Sequence, residues 1–183
     1  MASAFSHTLV ALALGAVFPE EKLPRRAWGL GMACSLLPDV DIVGFLFGIP
    51  YAHVLGHRGF THSFVFAALL SGLLVALIVR FGRWPSSRPA LLLYLFLCTA
   101  SHGVLDAMTN GGLGIAFFAP LDNTRYFLSW RPIEVSPIGI DAFLSERGLR
   151  VLWSEARTLW LPLFALWVTI RGFRTVTRRR KLI

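Results

Sequence analysis

"HRGFTHSFVFAALLSGLLVALIV", residues 57–79, decides the fold class. Residues 64–79 carry no charged side chain, and the run from 60 to 79 is long enough to cross a hydrocarbon core of about 30 Å. Directly before it stand His57, Arg58, Thr61, His62 and Ser63. Ionisable groups at the mouth of a membrane helix are costly to keep, so the stretch raises a question of function as well as of fold.

Working outward, residues 89–108 form a second run of spanning length. Residues 151–170 form a third, interrupted by Ser154, Glu155 and Arg157. Shorter or broken apolar runs cover about 3–18 and 27–49, the latter interrupted by "LLPDVD". The composition agrees: 55% of the 183 residues are hydrophobic and 15% charged, with a mean hydropathy of +0.63. A soluble domain of this length needs more polar surface. The expected architecture is an all-α polytopic membrane helix bundle of four to five hydrophobic segments, forming one domain over residues 1–183. The opening "MASAFSHTLVALALGAVF" resembles a signal peptide but lacks a basic start and carries His7, so it reads as a retained first helix. Cys34 and Cys98 read as buried free thiols.

The net charge of +8 is distributed in a telling way. Basic residues cluster at Lys22, Arg25 and Arg26, at Arg80, Arg83 and Arg88, and from Arg171 and Arg174 to Arg178, Arg179, Arg180 and Lys181. Each cluster flanks a hydrophobic run, as the positive-inside rule expects of cytoplasmic ends, and no nucleic-acid partner is needed to explain them. Residues 171–183 then form a basic cytoplasmic tail able to meet anionic lipid headgroups. With all three clusters inside, the stretch 110–150 lies on the extracytoplasmic side as an irregular, lid-like loop region. Its aromatics, Tyr126 and Trp130 among them, suit the lipid interface.

That topology, drawn from arginine and lysine alone, brings His7, Asp39, Asp41, His57, His62, His102 and Asp106 to one side and a similar depth. His102 and Asp106 in "SHGVLD" are four apart and share a helix face. Asp39 and Asp41 in "LPDVD" are two apart, and Pro38 breaks the helix so that both can point inward. His57 and His62 straddle a loop-to-helix junction where Gly59 permits a tight approach. Mixed imidazole and carboxylate donors suit zinc, manganese or iron, so these seven are the candidate ligands of a divalent metal site with two or more ions. Blander readings exist for each alone: a helix pair for His102 and Asp106, an N-cap for Asp39, a structural role for His53. Thr61 and Ser63 read as caps or as supports of the ligands. Arg58 either pairs with an aspartate or binds a substrate phosphate.

An early histidine followed by "LLPDVD", "HRGFTHS" and "SHGVLD" between hydrophobic segments resembles the YdjM-like family of bacterial inner-membrane proteins, over roughly residues 1–145. The resemblance implies a multi-pass inner-membrane protein with metal-dependent hydrolase activity. A more distant similarity is to zinc-dependent phospholipases C and single-strand nucleases, whose ligand order is similar to His7, Asp41 (or Asp39), His62 (or His57), His102 and Asp106. Their later histidine and His-x-x-x-Glu ligands have no counterpart, since no histidine follows His102; Glu134 or Asp122 would have to substitute.

The expected chemistry is hydrolysis of a phosphoester on a lipid or other amphiphile by metal-activated water at the outer face. Asp39 or Asp41 is the candidate general base, and Arg58, or Arg125 and Arg131, the candidate phosphate clamp. The competing expectations are a metal-stabilised structural or regulatory protein without turnover, and a divalent-cation transporter. The transporter needs polar groups continuing inward, whereas "FVFAALLSGLLVALIV" offers none.

Overall fold

Pro38 and the serines before the long apolar runs set the helix boundaries in the computed structural model, which describes residues 1–81 and 87–169. α1 spans Ala4–Val17 and α2 spans Arg26–Leu36. At Leu37 the chain does not break. It tightens into a 3-10 helix, Leu37–Phe47, with Pro38 in its first turn. α3, Phe64–Phe81, begins after Ser63, whose Oγ accepts from Phe66 N at 3.0 Å as an N-cap. α4, Arg88–Ala107, begins after Ser87, whose Oγ accepts from Ala90 N at 3.3 Å, with Pro89 in the first turn.

Among the described residues the fold is all-helical. Three helices are long and apolar enough to cross a membrane: Arg26–Phe47, which joins α2 to the 3-10 segment, Phe64–Phe81 and Arg88–Ala107. The apolar α1 is shorter. α4 is the central element. Its Leu91, Tyr94, Leu95 and Cys98 are buried with Ala11 of α1 and with Ala27 and Cys34 of α2. Tyr94 Oη donates to Ala11 O at 3.2 Å, which satisfies the one polar atom of that ring in an apolar core. α3 packs against α4, with Leu70, Leu74 and Ile78 toward the same core, and exposes Leu69, Leu73 and Leu77, the side chains a lipid-facing helix presents. Cys34 and Cys98 are buried and free, as expected.

The final segment differs from the expected helix starting at 151. It starts earlier, as the short α5 (Ile140–Phe143) and then α6 (Glu146–Glu155), which Ser145 caps. A π-helical turn, Ala156–Trp160, follows, and helix continues to residue 169. Glu155, the last residue of α6 before this turn, is fully buried. It accepts from Ser3 N (2.5 Å), Ser3 Oγ (2.5 Å) and Ser6 Oγ (2.8 Å), tying this segment to the start of α1. The cluster Arg171–Lys181 and residues 82–86, Arg83 among them, lie outside the described residues.

Between α4 and α5 the chain is irregular apart from two isolated bridges, Thr109 to Ile133 and Ile115 to Tyr126. Ala116 N donates to Arg58 O (3.1 Å) and Phe64 N to Phe117 O (2.9 Å), so this region packs onto the 57–63 stretch.

Candidate metal centre

The 3-10 winding of residues 37–47 explains how two aspartates, two apart in sequence, serve one histidine. In an α-helix they would point about 160° apart. At three residues per turn the separation is about 120°, narrow enough to flank an imidazole edge-on. Asp39 Oδ1 lies 3.6 Å from His62 Nε2, and Asp41 Oδ2 lies 3.2 Å from His62 Nδ1. A 3-10 run this long is uncommon, and the cost is offset where function needs the geometry.

α4 supplies the opposite wall. His102 Nε2 lies 3.2 Å from Asp39 Oδ1 and 4.0 Å from Asp106 Oδ2, while His62 Nε2 lies 3.8 Å from Asp106 Oδ2. Gly103 lets the 60–62 turn come this close, since a Cβ there would sit 2.7 Å from the His62 carbonyl oxygen. The four facing atoms are Asp39 Oδ1, His62 Nε2, His102 Nε2 and Asp106 Oδ2. All four are buried without a hydrogen-bond partner. Buried polar atoms are almost always paired, so four orphans aimed at one point call for a missing ligand. Bonds of about 2.0–2.1 Å in a tetrahedral site place donors about 3.3 Å apart, close to the separations here. The residues therefore fit a divalent ion.

The far sides of these ligands are held in place. His102 Nδ1 lies 2.7 Å from the Ser35 carbonyl oxygen, which makes Nδ1 the protonated nitrogen and leaves the Nε2 lone pair facing the centre. His62 Nδ1 meets Asp41, whose Oδ2 also accepts from Thr61 Oγ1 (2.7 Å) and Arg58 N (3.2 Å). Asp106 Oδ1 accepts from Ala2 N at 2.6 Å, and its Oδ2 lies 3.3 Å from Arg58 Nε. Burial opposes a charge on His62. Its contacts with Asp39 and Asp41 and the charges of Asp41 and Asp106 outweigh that and raise its pKa to about 9.

Six of the seven candidate ligands fall in two overlapping groups that could hold a metal ion: Asp39, His62, His102 and Asp106, and Asp41, His57 and His62. His7 stands beside the first. Its ring stacks on His102 at 3.7 Å and its Nε2 lies 3.5 Å from Asp106 Oδ1. His57 belongs to the second, with Nδ1 2.7 Å from Asp41 Oδ1. Arg58 is fully buried at φ +63, a strained backbone for arginine, and takes the pairing option. Its Nε is ion-paired with Asp106, and it donates Nη1 to Gly111 O (2.8 Å) and Nη2 to Thr109 Oγ1 (3.1 Å).

Other candidates lie elsewhere. Arg125 donates to backbone carbonyls of Tyr51, His53 and His57, and Arg131 lies over the Phe127 ring. Asp122 is bound to Thr124 N and Tyr126 Oη, and Glu134 sits 3.8 Å from Arg150, so neither joins the cluster. Sequence reasoning missed the Ser35 carbonyl, for which no side-chain signal exists. It also missed the role of Glu155, whose signal was a lone carboxylate in an apolar run.

The family model described as YdjM inner membrane protein matches residues 1–180. The chain is 36% identical over 165 residues to "Inner membrane protein YbcI" of Escherichia coli strain K12, covering 88% of this chain and 92% of that protein. No solved structure matches. The chain belongs to the YdjM inner membrane protein family.

Proposed function

We propose that this YdjM-family membrane protein is a metal-dependent hydrolase acting on a phosphoester of a lipid or amphiphile at the extracytoplasmic face. The four orphaned, mutually facing donor atoms of Asp39, His62, His102 and Asp106 carry this reading. An ion there, zinc by donor chemistry with manganese or iron as alternatives, supplies Lewis acidity toward a phosphoryl oxygen and acidifies water. Two carboxylates and two neutral imidazoles balance its charge.

The chain's own residues divide the remaining work. Asp41 orients His62 and makes it a better donor, as carboxylate partners of ligating histidines do. Arg58 Nε, 3.3 Å from Asp106 Oδ2, supplies positive charge beside that buried carboxylate. Asp39 is the most accessible of the four, its side chain 16% exposed, and is the candidate to orient water. The second group makes hydrogen bonds to all its members and contributes only His62 Nε2 to the orphaned atoms, so one ion in the first group is the favoured occupancy.

One observation favours a second reading. Four protein donors complete a tetrahedral shell, as structural sites do, and a metal staple without turnover follows from that. The experiment is metal analysis of purified protein with hydrolysis assays on a phospholipid panel. Loss of both metal and turnover in His62→Ala and Asp106→Ala is expected. Stoichiometric metal with no turnover on any phosphoester would favour the staple.

A further inference from the structure

Next to the metal centre lies a cavity of about 470 Å³, within the range of about 300–1,000 Å³ that small-ligand sites occupy. Its lining mixes two chemistries. Val135, Pro137, Ile138 and Ala142 give an apolar side, and Tyr51, His57 and Arg147 give a polar one. No carboxylate is among the described lining residues.

Cations surround the polar side. Arg147 lines the cavity itself, with an exposed side chain. Arg58 stands behind Gly112, another lining residue held at φ +91. A Cβ there would collide with Arg58 Nη1 and come within 2.8 Å of Tyr51 Oη. Arg125 lies 5.6 Å over the Tyr51 ring and donates to Tyr51 O at 3.0 Å. Arg58 is paired with Asp106 and Arg125 with backbone carbonyls, so Arg147 is the guanidinium that the cavity presents to an anion beside its partly apolar wall. His57 connects this space to the cluster, because its ring lines the cavity while its Nδ1 is committed to Asp41.

We infer that this cavity binds the anionic head and proximal chain of an amphiphilic phosphate ester, with Arg147 as the residue that selects the negative charge. As a substrate site it rests on the hydrolase reading; as an anion site it stands on its own lining. The apolar wall formed by Val135, Pro137 and Ile138 takes the first part of the chain, and the head lies against His57 and Tyr51.

The test uses the full chain in a neutral maltoside detergent, with ligand binding read by native mass spectrometry and metal measured on the same samples. The probes are dodecyl phosphate, dodecyltrimethylammonium and glycerol phosphate. Dodecyl phosphate should bind at least about tenfold more tightly than either other probe. Arg147→Gln should weaken it by about tenfold, the size of one charge-assisted hydrogen bond, with metal content unchanged. Ala142→Trp, which fills the cavity without touching charge, should weaken it by a similar factor. Equal binding of the cationic probe, or wild-type affinity in either variant, would overturn the inference. Equal binding of glycerol phosphate would overturn the amphiphile assignment in favour of a soluble ester. Metal-loaded wild-type protein that binds dodecyl phosphate through Arg147 but hydrolyses no phosphoester would contradict the hydrolase reading and uphold the cavity.

Discussion

His62 and Asp41 meet through the ring nitrogen that faces away from the candidate metal: His62 Nδ1 lies 3.2 Å from Asp41 Oδ2, while Nε2 faces Asp39 and Asp106. The contact divides two adjacent aspartates into different roles. Asp39 offers a donor atom to the centre, and Asp41 holds the histidine that offers another.

Asp41→Asn should therefore retain the site but weaken it. Removing such an outer partner typically costs about 10- to 100-fold in metal affinity. Competition against a chromophoric chelator measures this, and Asp39→Asn should lose more than Asp41→Asn. Equal losses would mean that both aspartates bind metal.

Metal affinity should rise with pH up to about 9. In the metal-free protein His62 is held protonated to about that pH, whereas the metal-bound ring carries no proton at Nε2. Binding therefore releases a proton below pH 9. The sign for stability is opposite: the raised pKa stabilises the metal-free fold fully below the ordinary histidine value of about 6.5, and this is lost as pH rises through 9. Titrations at pH 6, 7 and 8 in two buffers of different ionisation enthalpy count the protons.

Arg58→Gln should destabilise the metal-free protein by about 3 kcal/mol, because it removes a buried cation from beside the buried Asp106 carboxylate. Saturating metal should narrow the difference, since the ion supplies positive charge beside the same carboxylate. Denaturant unfolding with and without metal reads both numbers.

Ser86→Cys, outside the described residues, should react with an impermeant maleimide only from the cytoplasmic side. Asn123→Cys, at an exposed position, should react only from the opposite side. Cys34 and Cys98 are buried, so their background is low. Labelling of both positions from one side would contradict the topology drawn from the basic clusters.

Much of this was legible in the sequence, for identifiable reasons. α3 and α4 are long, apolar and capped by serine, so periodicity and composition were enough. His102 and Asp106 were readable as a pair because the α-helix fixes what four residues' spacing means. Asp39 and Asp41 were readable as ligands but not as different in role. That difference comes from the 3-10 winding after Pro38, which no local pattern announces. The partners of His102 and of Glu155 are a backbone carbonyl and two serines far away in the chain, contacts that only the folded arrangement creates.

The most direct measurement is the metal stoichiometry of purified protein by elemental mass spectrometry, for the wild type and for five single alanine variants. One divalent ion per chain is expected in the wild type. Loss of that ion is expected in Asp39→Ala, His62→Ala, His102→Ala and Asp106→Ala, and retention in His53→Ala, whose Nδ1 accepts from Leu55 N. Full metal content in the His62 and Asp106 variants would contradict the metal centre.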